Sequence, residues 1–179
     1  GVAGIILGLA LQDSLSNIFS GISLILDRAY RVNDIVVLDS GESGLVFDIG
    51  LRSTRLKSWD NEILTIPNKK IANAVIKNLN KPDLAIKTTL NFGVEYGTDP
   101  ENVKDVVGKA INKIKTVSRE EGRETIVRFM EFGPSSLNFV AMFWVDDLAD
   151  KWDTHQKAMK AIYDSLNKAK IGIPFPITT

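Results

Sequence analysis

The sequence has no cysteine and only one histidine, His155. The missing cysteines exclude disulfides, thiolate metal sites and cysteine nucleophiles together. A charge excess is missing too: lysine plus arginine number 22 and aspartate plus glutamate 22, so the net charge is zero. A bulk nucleic-acid binder would show a basic surplus. The glycines form neither a GxGxxG nor a GxxxxGK pattern, which excludes the common phosphate loops. A single histidine, set in a helical pattern, supports no catalytic constellation. Asp146, Asp147, Asp150 and Asp153 cluster, but an aspartate-rich loop and helix start accounts for them. Arg52, Arg55 and Lys57, with Trp59 nearby, read as a solvated strand face. No enzyme, cofactor or metal site is expected.

Charge is also missing from one end. Between Gly1 and Leu26 the only charged residue is Asp13. The run from Gly1 to Leu11 has no polar side chain and would extend about 16 Å as a helix, half of a membrane span. It lacks a basic n-region and an initiating methionine, so it does not read as a signal peptide. Starting inside an apolar run, it implies further sequence upstream. Gly1, Ala3, Gly4, Gly8 and Ala10 place small residues at helical spacing, the pattern that lets membrane helices approach closely. Asp13, Ser16 and Asn17 interrupt the run and favour caps and turns. Two helical segments broken near Asp13 are therefore expected, the second carrying Ile18, Ile22, Ile25 and Leu26.

The rest of the chain is water-soluble in pattern. Ile35 to Leu38, Leu45 to Leu56 with a bend at Gly50, Ile63 to Ile66 and Ala74 to Leu79 read as strands of a small β-barrel or sandwich. Asn68 is expected to cap a helical turn over Lys69 to Asn73. Beyond Lys81-Pro82-Asp83 the pattern changes. Leu84 to Phe92 alternates as a strand, and Thr98 to Glu101 has capping-box spacing with Pro100 in the first turn. A helix through Ile114 follows, then strands over Thr125 to Phe132 and Leu137 to Val145. A last helix starts near Asp150, with Met159, Ile162, Leu166 and Ala169 facing inward. Phe129, Phe132, Phe139 and Phe143 are expected in the core. Strand, helix, two strands and helix make most of a ferredoxin-like α/β unit. Ile171 to Thr179 reads as extended and broken by proline. The expected domains are an apolar, membrane-type helical segment over 1–28, a β domain over 29–81 and an α/β domain over 82–179.

The stretch Gly8-Leu9-Ala10-Leu11-Gln12-Asp13-Ser14-Leu15-Ser16-Asn17 resembles the pore-helix motif of the MscS family of mechanosensitive channels, as does Gly21 to Asp34. Ile66-Pro67-Asn68-Lys69-Lys70-Ile71 is similar to that family's middle-domain signature. Ser135 to Phe139 and Ile173-Pro174-Phe175-Pro176 are similar to its last domain. The resemblance implies a mixed architecture: a kinked transmembrane pore helix, an Sm-like β domain and a ferredoxin-like α/β domain. It implies a homoheptamer in the cell (inner or plasma) membrane, multi-pass, with a cytoplasmic C-terminal region. The channel would be gated by tension and would release ions and small solutes on osmotic downshock.

Residue by residue, the resemblance makes Ile5 and Leu9 the two apolar rings of a pore gate. It makes Ala3, Gly4, Gly8 and Ala10 the packing face between pore helices. Gln12 and Asp13 fall at the kink, where the best-known member has glycine at the position of Asp13, and Gly21 falls at a second flexible point. Two alternatives compete. A soluble Lsm-like ring would bind nucleic acid, but residues 27–81 hold nine basic and seven acidic side chains, too balanced a surface. An interfacial membrane anchor would carry lysine or arginine on one face, and residues 1–26 have none.

Overall fold

A computed structural model describes residues 1–174 and divides the chain into two compact units, Gly1–Asp83 and Leu84–Thr179. Phe175 and Pro176 of the family-like motif, and the rest of the extended segment expected through Thr179, lie outside the described residues.

The first unit opens with α1 (Val2–Asp27), a single helix of 26 residues. Leucine, isoleucine and alanine sustain it, and it stops where Arg28 turns left-handed at φ 51°. The expected break at Asp13 is not there: residues 12–17 are helical throughout. Asp13 caps nothing, because its carboxylate is taken by an ion pair from a distant lysine, Lys69. A polar cluster that looks like a helix boundary in sequence is thus a tertiary contact.

Five strands follow: β1 (Ile35–Leu38), β2 (Ser43–Ile49), β3 (Ser53–Lys57), β4 (Ile63–Pro67) and, after the short α2 (Asn68–Ala72), β5 (Ile76–Asn78). They form one antiparallel sheet in the order β4-β3-β2-β1-β5. The strand expected over Leu45 to Leu56, with a bend at Gly50, is two strands that part at that glycine. Gly50 donates its N–H to Ser53 O at 2.9 Å and turns the chain between them. Alternation buries Val36, Leu38, Val46, Leu56 and Ile66 together with Ile71 of α2, and Leu24 of α1 and Tyr30 complete this core. Burial of a residue such as Leu24 contributes about 1.5–3 kcal/mol.

The second unit has β6 (Ile86–Val94), α3 (Pro100–Ile111), β7 (Ile126–Phe132), β8 (Leu137–Val145), a 3₁₀ turn (Leu148–Asp150) and α4 (Lys151–Lys168). Its antiparallel sheet runs β6-β8-β7, the strand order of a ferredoxin-like unit. Val103, Val107 and Ile111 of α3 and Ala158, Ile162 and Leu166 of α4 pack on Phe139, Ala141 and Phe143. Asp99, not Thr98, caps α3, accepting from Glu101 N at 3.1 Å. Met159 and Phe132 are exposed rather than in the core. For Phe132 the cause is a register shift between Phe129 and Glu131, which turns the end of β7 out of alternation. Phe132 stacks on exposed Tyr96 instead.

Candidate pore helix and its anchorage

Helix α1 would extend about 39 Å at 1.5 Å per residue. It is the one helix among the described residues long and apolar enough to cross a membrane. Its two halves differ. Residues 1–15 are exposed on every side, Ile5 at 65% and Leu9 at 67%. Four residues apart, these two side chains share one helical face about one turn from each other. Ala3, Gly4, Gly8 and Ala10 are equally exposed, and a Cβ added at Gly4 or Gly8 would meet nothing within 4 Å. Nothing among the described residues therefore requires glycine at either position. Gln12 is exposed as well.

From Asn17 onward the helix is anchored. Gly21 is buried, and a Cβ there would meet Leu51 O at 2.6 Å and press on the Asn68 amide. The absence of a side chain is what lets α1 lie against the β2–β3 turn. Beneath it sits a buried polar network. Asn68 gives both amide protons away, to Gly50 O at 2.9 Å and Leu51 O at 3.1 Å. Its Oδ1 accepts from the Thr54 hydroxyl at 2.9 Å. That uses the one proton of Thr54, so Tyr30 donates to Thr54 across 3.0 Å. Thr54 and Asn68 are 0% exposed. Burial pushes the Tyr30 phenol above its ordinary pKa, with the Thr54 bond opposing. The expected helix-capping role of Asn68 is thus replaced by a structural one. It pins the turn against which α1 packs, while Pro67 occupies the cap position of α2.

The two lysines of α2 point to different partners. Lys69 Nζ reaches Asp13 Oδ1 at 2.9 Å, and its backbone N–H donates to Asn17 Oδ1 at 2.9 Å. Lys70 Nζ meets Glu42 Oε1 at 2.5 Å, on the turn before β2. The Lys70 bond, with help from the Ser40 hydroxyl, pulls the Glu42 carboxyl down from 4.5 to about 2. A depressed folded-state pKa means the pair's stabilisation is full above about pH 4.5 and is lost as pH falls towards about 2. Unfolding the protein and its Glu42→Gln variant across pH should therefore show a gap between them that closes over that window. A gap that is constant with pH would contradict the pairing.

Sequence reasoning named Ile5, Leu9, the small residues, Asp13 and Gly21, but did not bring Asp13 to Lys69 or Gly21 to Asn68. The Asn17, Tyr30, Thr54 and Asn68 roles were missed. The only sequence signal was an asparagine directly after a strand-ending proline, at Pro67-Asn68.

A helix long and apolar enough to span a membrane, an Sm-like β sheet that grips its second half and a ferredoxin-like unit follow one another along the chain, the order of a channel subunit of one family. Residues 13–81 match the family description "Mechanosensitive ion channel, beta-domain", and residues 88–173 match "Mechanosensitive ion channel MscS, C-terminal". The chain belongs to the MscS family of mechanosensitive ion channels. It is 36% identical over 174 residues to the small-conductance mechanosensitive channel of Edwardsiella ictaluri, covering 97% of this chain and 59% of that protein. It is 31% identical over 175 residues to the large-conductance mechanosensitive channel MscMJLR of Methanocaldococcus jannaschii, covering 95% and 46%. The crystal structure of Helicobacter pylori MscS in its closed state superposes with a TM-score of 0.89 at 29% identity, covering all of this chain and 69% of that one. The chain thus spans about half to three fifths of the length of these curated relatives.

Proposed function

We propose that the protein is an ion channel opened by membrane tension, which releases ions and small solutes during osmotic downshock. In this reading α1 lines the pore, and identical copies form a homoheptamer in the cell membrane. Further membrane helices stand upstream, and the β and α/β domains lie in the cytoplasm. One observation carries the reading: residues 2–11 of α1 form an exposed apolar rod that packs on nothing among the described residues, while from Asp13 onward the helix is tied to a folded domain. Exposed apolar surface of this extent marks a contact with lipid, with other membrane helices or with further copies of the chain. Sevenfold repetition turns Ile5 and Leu9 into two apolar rings in series and sets Gly4 and Gly8, with Ala3 and Ala10, against the neighbouring helix. Relatives named as mechanosensitive channels support the same reading.

The test is survival. Bacteria stripped of their own tension-gated channels and given the full-length protein should survive a sudden dilution that kills the parent strain. Parent-level death, with the protein present in the membrane as a sevenfold ring by mass in detergent, would overturn the proposal.

A further inference from the structure

The outermost attachment of α1 is ionic, whereas the attachments below it are neutral. Asp13 Oδ1 and Lys69 Nζ lie 2.9 Å apart, although 56 residues separate them in sequence. Asn17, one helical turn after Asp13, ties the pair together. Its Nδ2 donates to the Asp13 carbonyl at 2.9 Å, and its Oδ1 accepts from the Lys69 backbone N–H at 2.9 Å. Beyond this point, towards the N-terminus, the helix is exposed. On the other side come the Gly21 contact, Leu24 and the buried Asn68 network.

We infer that Asp13, Asn17 and Lys69 form a salt-sensitive latch that holds the midpoint of α1 on α2, so that ionic strength sets how much of the helix is free to move. The Asp13 side chain is 86% exposed and that of Lys69 46%, so water and ions reach the pair. A cavity of about 200 Å³ lined by Asn17, Arg52, Ser53, Thr65 and Pro67 opens beside it. An exposed pair of this kind is weak and is screened as salt rises, because the Debye length falls from about 10 Å at 0.1 M to about 3 Å at 1 M. Weakness suits a latch, since a contact that shifts a population must be close to balance. Thr54, Asn68 and Leu24 carry no charge, so salt leaves them in place and acts on one contact of the helix. Asp13 is the only charge in residues 1–26, so no other charged residue of that stretch replaces the pair when it is screened.

The inference deepens the channel reading and rests on it only for its consequence, a shift in gating. Its direct test needs no current. Residues 1–179 hold no cysteine, so in the full-length protein, with any cysteine elsewhere replaced, spin labels can be placed on exposed Leu11 and Thr65. In the unsubstituted protein the Leu11–Thr65 distance distribution should be narrow at about 0.05 M salt and broaden at about 0.5 M, with the undocked share rising about twofold. Asp13→Lys should be broad at both concentrations, and Asp13→Lys with Lys69→Asp should restore the narrow distribution and its salt response. Asp13→Asn keeps the helix and the Asn17 bonds, serves if the reversal fails to fold, and should lose the salt response. An unchanged distribution across salt in the unsubstituted protein, matched by Asp13→Asn, would overturn the latch. In patches, the charge reversal should move the midpoint tension and the swap should return it. If no variant carries tension-gated current, the channel reading fails while the distance result still decides the latch.

Discussion

Leu9→Ser opens at lower membrane tension than the unsubstituted channel, and cells that make it grow poorly because solutes leak. The expectation follows from the proposed apolar gate. Ile5 and Leu9 lie about one helical turn, roughly 5–6 Å, apart on one face. Repeated around a ring, they make two apolar constrictions. Water leaves a sufficiently narrow apolar pore, and an ion does not cross without its hydration shell. Such a gate needs neither plug nor charge: it opens when tension tilts the helices outward until the ring rewets. A hydroxyl at position 9 holds water at a smaller radius, so less widening is required. Leu9→Ile keeps the ring apolar and should gate nearly normally. If Leu9 instead only packs against a neighbouring helix, serine weakens assembly without lowering threshold. Patch recordings separate the two: an unchanged or raised threshold in Leu9→Ser, with the ring intact, sinks the gate assignment.

Gly21→Leu should unseat α1 from the β domain. A Cβ at this position already lies 2.6 Å from the Leu51 carbonyl oxygen, which is backbone and cannot rotate away. Overpacking of this kind costs about 1–3 kcal/mol, and displacing the Asn68 amide leaves the Gly50 and Leu51 carbonyls short of a donor, a further 1–3 kcal/mol. The outcome is a large drop in the thermal unfolding midpoint or loss of folded protein. Gly21→Ala distinguishes close approach from hinge. Alanine is the better helix former by about 1 kcal/mol, so a pure hinge glycine replaced by alanine gives a stiffer, more stable helix. A glycine kept for contact gives a less stable protein. An unchanged midpoint in both variants would show that α1 does not rest on the β2–β3 turn.

Much of the architecture was legible because its signals are local. Ile35–Leu38 and Leu137–Val145 are strands to the residue, since two-residue alternation and turn residues at their ends are both local. Helices α3 and α4 were readable from the 3.6-residue spacing of their buried side chains. What failed depends on distant partners. Gln12 to Asn17 looked like a helix break because short polar side chains favour caps, yet Lys69, over fifty residues away, absorbs both Asp13 and Asn17. Leu45 to Leu56 looked like one strand bent at Gly50 because apolar residues continue through Leu51, and the Gly50–Ser53 bond makes that bend a full turn between two strands. Phe132 left the core through a register shift invisible in composition. Likewise, the Tyr30–Thr54–Asn68 network joins residues 14 and 24 positions apart, and no spacing rule brings them together. Ile5 and Leu9 are proposed as the gate only through the family resemblance; as apolar residues in an apolar run they carry no signal of their own.

The central claim is that tension opens a water-filled pore lined by α1. Full-length protein purified into liposomes and recorded in excised patches under graded suction tests it most directly. The account expects discrete current steps that begin above a threshold suction, with a threshold lowered by Leu9→Ser. Patches that contain assembled rings yet pass no current up to the tension that ruptures the membrane would contradict it.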